Sequence, residues 1–161
     1  MSEHSYQFNY QRFKSQADLP ADLLRLMVQA IAARANAYAP YSSFQVGAAV
    51  LLENGTVVLG NNQENAAYPS GLCAERVAVF HAAANYPNVP IKAIAISASD
   101  KNTPTTTPAS SCGNCRQAMA EYEQKQQQPI SLLCMGASGE VILVDSVLSL
   151  LPFAFNSEFL K

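Results

Sequence analysis

Phe44-Gln45-Val46-Gly47-Ala48-Ala49-Val50-Leu51-Leu52 is the stretch whose pattern settles the kind of fold. Apart from Gln45 it is apolar or glycine, so no period-2 alternation divides a wet face from a dry one, and it reads as a strand buried on both sides. A strand of that kind needs cover on both faces of its sheet. Asn54-Gly55 then supplies a hairpin turn into Thr56-Val57-Val58-Leu59-Gly60.

The cover comes from segments on either side of this hairpin. Leu23, Leu24, Met27, Val28, Ile31 and Ala35 recur on one helical face after Asp18-Leu19-Pro20, which predicts a helix over about 20–38 with Asp18 capping, Pro20 in the first turn and Pro40 ending it. Residues 73–84 are rich in helix formers after the Pro69-Ser70-Gly71 turn, and 92–98 read as a strand. A Thr/Pro/Ser loop over 99–111 leads into a third helix that begins at Cys112 and reaches Tyr122, with polar Gln124–Gln128 as a surface connection. Strands at 130–135 and 140–144 flank a turn, and a short helix precedes Leu151-Pro152. This order suits one central sheet with helices on both faces. Residues 19–161 are expected to form a single domain, with 1–18 as an N-terminal extension.

Composition narrows the function. The chain has 161 residues, 49% of them hydrophobic and 14% charged, an apolar balance that hints at further burial between subunits. Ten basic against twelve acidic residues give a net charge of −2 without a Lys/Arg cluster, which argues against a nucleic acid polymer as partner. The first twenty residues do not read as a signal peptide, and the longest apolar stretch, Val46–Leu52, is far short of the roughly 18–20 residues that cross a bilayer. The expected location is the cytoplasm, where four cysteines that include a Cys-x-x-Cys pair point to metal or catalysis before disulfides.

A catalytic zinc takes three protein ligands and keeps its fourth position for water, whereas a structural zinc is closed by four. Cys112 and Cys115 are spaced for one helical turn to aim both sulfurs at one ion, and Cys73 is the only other cysteine expected at a helix start. Helix N-termini favour thiolates at all three places. Cys134 lies inside an apolar strand and reads as a small buried hydrophobe. A Cys-x-x-Cys pair read alone fits a structural site better than a catalytic one. Glu75, two residues beyond Cys73, is placed to approach a metal-bound water without being a ligand; read alone it is a favourable acidic residue in a helix's first turn.

Taken together, Gly71-Leu72-Cys73-Ala74-Glu75-Arg76 and Ser111-Cys112-Gly113-Asn114-Cys115-Arg116-Gln117 closely resemble the zinc signature of cytidine deaminases, in the short-chain branch that uses three cysteines. The resemblance runs from about Tyr38 to Phe155. It implies a three-layer α/β/α sandwich around a mixed five-stranded sheet and one zinc per subunit held by Cys73, Cys112 and Cys115. It further implies that Glu75 takes the proton of the attacking water, delivers it to N3 of a cytosine ring and then protonates the departing ammonia. Three thiolates around a divalent ion call for compensating positive charge, for which Arg76 and Arg116 are candidates. Arg76 stands where short-chain members have such an arginine. Where the family normally has proline, this chain has Ser111, a change that leaves main-chain contacts possible.

Ala39-Pro40-Tyr41-Ser42-Ser43-Phe44-Gln45-Val46-Gly47 resembles the family segment whose phenylalanine stacks on the pyrimidine, which would give that role to Phe44. Asn62-Gln63-Glu64-Asn65-Ala66-Ala67-Tyr68-Pro69 resembles the ribose-binding segment: Asn62 and Glu64 would hold sugar hydroxyls, and Ala66 and Tyr68 would line the pocket. Leu150-Leu151-Pro152-Phe153-Ala154-Phe155 resembles the family's tail, in which Phe155 would close over the base in a neighbouring subunit's site while Phe153 is expected in the core. The implied assembly is a homotetramer with shared active sites. The implied activity is deamination of cytidine and 2′-deoxycytidine in pyrimidine salvage. A different deaminase substrate, such as a nucleoside antibiotic, and a non-catalytic zinc-stabilised binding protein are the alternatives; the latter would recruit Cys134 as a fourth ligand.

Overall fold

The structure is a computed structural model, and it describes residues 1–160. Strand β2 (Phe44–Leu52) is buried as its composition demands and forms the hairpin with β3 (Val57–Asn61). On its other side β2 pairs antiparallel with β4 (Ile91–Asp100), which pairs in parallel with β5 (Ser131–Met135), and β5 pairs antiparallel with β6 (Val141–Val144). Helices α1 (Ala21–Arg34), α2 (Ala74–Asn85) and α3 (Gly113–Gln126) complete the fold.

The sheet has six strands rather than five, in the order β1-β6-β5-β4-β2-β3. The extra one, β1, is only Gln11–Phe13, paired antiparallel with β6 at the sheet edge and tied there by an Arg12–Glu140 ion pair. Three residues with two polar side chains carry no strand pattern, so its existence follows from the open edge of β6 and not from local sequence.

Alternate residues of β2 feed two separate cores. Ala48, Val50 and Leu52 pack with Ala74, Ala78 and Val79 of α2 and with Cys115 and Met119 of α3. Ala49 packs instead with Leu26, Met27 and Ala30 of α1, together with Ala93, Ala95, Leu133 and Met135. This is the three-layer sandwich: α1 on one face, α2 and α3 on the other.

Helix boundaries depart from the periodicity in instructive ways. α1 stops at Arg34, not near residue 38, because Tyr38 leaves the helix to bridge Gln63, with its amide donating to the Asn62 carbonyl. Its inward face is Leu26, Met27, Ala30 and Ala33, while Val28 and Ala35 are exposed. Pro20 occupies the N-cap position, and Asp18 closes a capping box with Ser15 in a preceding 3-10 turn. α3 continues to Gln126, so the polar run is part helix: the Gln126 side chain pairs with both the amide and the carbonyl of Ile91, and Gln127 caps the end at φ 54°. Buried Glu123 accepts from the Ile130 and Val147 amides, which ties α3 to β5 and to the 3-10 turn Val147–Leu150.

Gly47 is where α1 and β2 touch. A Cβ there would overlap the Ala30 carbonyl and the Arg34 amide, both backbone groups that cannot rotate away. Gly47→Ala is therefore expected to cost about 3 kcal/mol through overpacking, read as a lower urea midpoint at unchanged m-value.

Candidate active site

The sheet brings two helix starts together. Cys73 is the N-cap residue of α2 and Cys112 that of α3, both with extended backbone, and Cys115 lies buried in the first turn of α3. The Cys73 and Cys112 sulfurs are 3.9 Å apart, those of Cys112 and Cys115 are 3.5 Å apart, and all three lie within 4.8 Å of one another. A tetrahedral zinc with Zn–S bonds of about 2.3 Å has sulfur–sulfur edges of about 3.8 Å, so the spacing and the all-thiol donor set fit zinc. Among the described residues this is the one cluster of the kind. Cys134 stays out of it, packed in the core, where burial pushes its thiol up to about 12.

The electrostatics of the cluster follow from its neighbours. The Cys73 thiol is held well below its ordinary value, first by the Cys115 thiol beside it and then by Arg76, whose Nη2 lies 4.0 Å from the Cys73 sulfur. The Cys115 thiol is pushed up, first by the Cys73 sulfur beside it and then by burial. Burial lowers the Arg76 pKa, but the Cys73 and Cys115 sulfurs outweigh it and the net shift is upward. Arg76 Nε is buried without a partner.

Arg116 is a different case. Its Nε donates to the Ser111 carbonyl at 2.9 Å, Nη1 to the Leu150 carbonyl at 3.0 Å and Nη2 to Ser110 Oγ at 3.2 Å. It carries no hydrogen bond to a sulfur; it clamps the segment before Cys112 to the 3-10 turn that precedes the C-terminal tail. The same loop is pinned upstream, where the Thr105 amide donates to Ser99 Oγ and the Ala137 amide to the Thr105 carbonyl.

Glu75 is only 4% exposed, on the first turn of α2. Burial raises its pKa, an effect opposed by its own backbone amide and by the Ser111 hydroxyl. A buried carboxyl whose charged form is disfavoured, two residues from Cys73, suits proton transfer.

A cleft of about 460 Å³ opens beside Cys73 and Arg76, and Tyr41, Asn62, Glu64 and Tyr68 line it. Glu64 accepts from the Tyr41 and Ser42 amides and from the Ser42 hydroxyl, the last of which does most to hold its carboxyl below the usual range. Asn62 is committed to β2, with Oδ1 accepting from the Val46 amide and Nδ2 donating to the Phe44 carbonyl. Phe44, Ala66 and Phe155 do not line the cleft. Phe44 is half-buried at the start of β2, Ala66 is exposed, and Phe155 stacks on Phe159 with ring centroids 5.5 Å apart. Phe153 is not in the core: it is fully exposed at φ 59°. Pro152 ahead of it and Ala154 after it gave no sequence signal for that left-handed turn. Tyr41 and Leu72, which also border the cleft, were singled out by no motif role.

Residues 20–128 match the model of the cytidine and deoxycytidylate deaminase zinc-binding region, and the chain belongs to that family. It is 40% identical over 140 residues to a cytidine deaminase of Sporosarcina psychrophila, an alignment covering 87% of this chain and 96% of that one. A cytidine deaminase of Halalkalibacterium halodurans is 41% identical over 137 residues, covering 85% and 96%. The crystal structure of cytidine deaminase from Burkholderia pseudomallei superposes with a TM-score of 0.71 at 40% identity, over 81% of this chain and 97% of that one.

Proposed function

We propose that this protein is a zinc-dependent hydrolase that converts cytidine and 2′-deoxycytidine to uridine and 2′-deoxyuridine with release of ammonia. The observation that carries the reading is a buried Glu75 two residues from one member of a three-thiol cluster that borders a nucleoside-sized cleft. Cys73, Cys112 and Cys115 would hold the metal and leave a tetrahedral position free. When bound, zinc supplies a Lewis-acid centre that makes water nucleophilic near neutral pH. Glu75 carries one proton of the water to N3 of the ring, where it stays, and the second, from the hydroxyl left on C4, to the amine, which departs as ammonia as the C4–N bond breaks and C4=O forms. Arg76 offsets the thiolate charge from its place beside Cys73.

Glu64 has two oxygens suited to sugar hydroxyls, and Tyr68 walls the same cleft. Asn62 would act on the sugar only by exchanging one of its present backbone partners, or by fixing the strand end that shapes the cleft. Phe44 and Ala66 are assigned to the base and pocket wall by their motif alone. For Phe155 the support is exposure: it stacks on Phe159, and the two exposed rings are an apolar surface that a second copy would cover, in keeping with a homotetramer that shares its sites.

Residues 19–161 would form the catalytic domain and 1–18 an extension that lends β1 to the sheet. No described helix is long and apolar enough to cross a membrane. The proposed setting is pyrimidine salvage in the cytoplasm, in keeping with a free-nucleoside substrate. Ultraviolet absorbance of cytidine, followed beside a cytidine-containing oligonucleotide, tests the substrate class. Turnover of the nucleoside alone is expected; turnover of the oligonucleotide alone would overturn the reading.

A further inference from the structure

Two consecutive side chains just past Cys115 reach across to the C-terminal tail. Arg116 Nη1 donates to the Leu150 carbonyl at 3.0 Å, and Gln117 Nε2 donates to the Phe155 carbonyl at 2.8 Å. Both residues are half-buried in the first turns of α3, the helix whose start carries Cys112 and Cys115. Between the two gripped carbonyls, residues 151–154 form neither helix nor strand, and the chain turns at Phe153 with φ 59°. Among the described residues, the Gln117 bond is the one hydrogen bond that ties residues 152–160 to the rest of the chain. The others in that segment are local, from the Phe159 amide to the Asn156 carbonyl and from the Glu158 amide to Asn156 Oδ1. Packing adds little, since none of residues 152–160 is buried. A segment with so few anchors keeps much of its conformational freedom unless a specific contact removes it.

We propose that Gln117 is a positioning residue: its side-chain amide fixes Phe155 relative to the metal helix, so that the ring is presented to the nucleoside site of a second copy of the chain. The inference rests on the deaminase reading, with its shared sites, for what the ring does there. Arg116 sets the base of the same tail. Its guanidinium also holds the Ser111 carbonyl and Ser110 Oγ, so the segment before Cys112 and the start of the tail are fastened as one unit. A tail that visits the receptive position only part of the time lowers apparent affinity by that fraction. A ring that stacks on a base contributes alike to the ground state and the transition state, so losing its placement raises KM and spares kcat.

The test compares zinc-loaded wild type with Gln117→Glu, which keeps the side chain's shape and removes its donor, alone and combined with Phe155→Ala. Gln117→Glu is expected to keep one zinc per chain, melt within about 2 °C of wild type and raise KM for cytidine about three- to tenfold, with kcat within about twofold. In the Phe155→Ala background the same change leaves KM within about twofold, because the ring it positions is gone. The chain has no tryptophan, so Phe155→Trp gives the tail a unique fluorophore. Adding Gln117→Glu to that protein is expected to lower its steady-state anisotropy and raise its acrylamide quenching constant about twofold, as the tail gains motion. An unchanged KM, an equal KM rise in both backgrounds, or unchanged anisotropy and quenching would overturn the proposal. A zinc-loaded wild type that leaves cytidine untouched would sink the deaminase reading instead, and the fluorescence comparison still decides whether Gln117 holds the tail.

Discussion

Glu75→Gln is expected to keep its zinc at one per chain and lose about 10²- to 10⁴-fold in kcat/KM for cytidine, the range that a positioned general acid–base contributes. Glutamine matches the shape of the buried side chain and can still accept hydrogen bonds, but it cannot take up the proton that the exchange of amine for hydroxyl must move. Folding offers no alternative explanation for such a loss. Burial disfavours the Glu75 carboxylate and raises its pKa, so above the ordinary carboxylate range the charged group opposes the folded state. Its neutral replacement is expected to melt at or above the wild-type temperature. Zinc content by atomic absorption, a melting curve and the absorbance assay on the same preparation check all three statements.

Cys115→Ala is expected to have the second large effect, for a different reason. It removes one of three donors from a cluster closed only by helix packing, and it leaves Cys73 and Cys112 with the ion half-coordinated. Zinc should fall to roughly a tenth of the wild-type content after dialysis, and activity should fall with it, because the metal's binding free energy is drawn from the full ligand set. Cys134→Ala is the matched control. Both cysteines are buried in the same core, yet Cys134 is not among the three sulfurs that lie within 4.8 Å of one another. Its removal should cost about 1–2 kcal/mol of stability by leaving a small cavity, with zinc and turnover retained. If Cys134→Ala also released the metal, a fourth thiol would be taking part and the centre would be a closed structural site.

Legibility in the sequence followed the range of the forces involved. The β2–β3 hairpin and the two-sided burial of β2 were readable because they depend on residues adjacent in the chain and on an apolar run with no wet face. β1 was not, since Gln11–Phe13 becomes a strand only by meeting the edge of β6. The three cysteines stood out by residue type and helix-start position, and the structure brings those three together. Of the two arginines, each near a ligand in a helix's first turns, only the family resemblance favoured Arg76; in the fold, helix rotation points Arg76 at the Cys73 sulfur and Arg116 at backbone carbonyls and Ser110. The tail misled in a similar way. Phe153 has the composition of a core residue, and only the turn at φ 59° turns it into solvent. Ser111 was visible as a departure from a family pattern, whereas its burial is a property of three dimensions.

The central claim is that the thiol cluster is a catalytic metal centre for a nucleoside amine. Ammonia and uridine, measured together from cytidine with zinc-loaded, chelator-stripped and zinc-reconstituted protein, address it directly. Equal amounts of the two products, lost on stripping and regained with zinc, are expected. A protein that binds zinc stoichiometrically, melts higher with it and yet forms neither product would contradict the claim and make the metal structural.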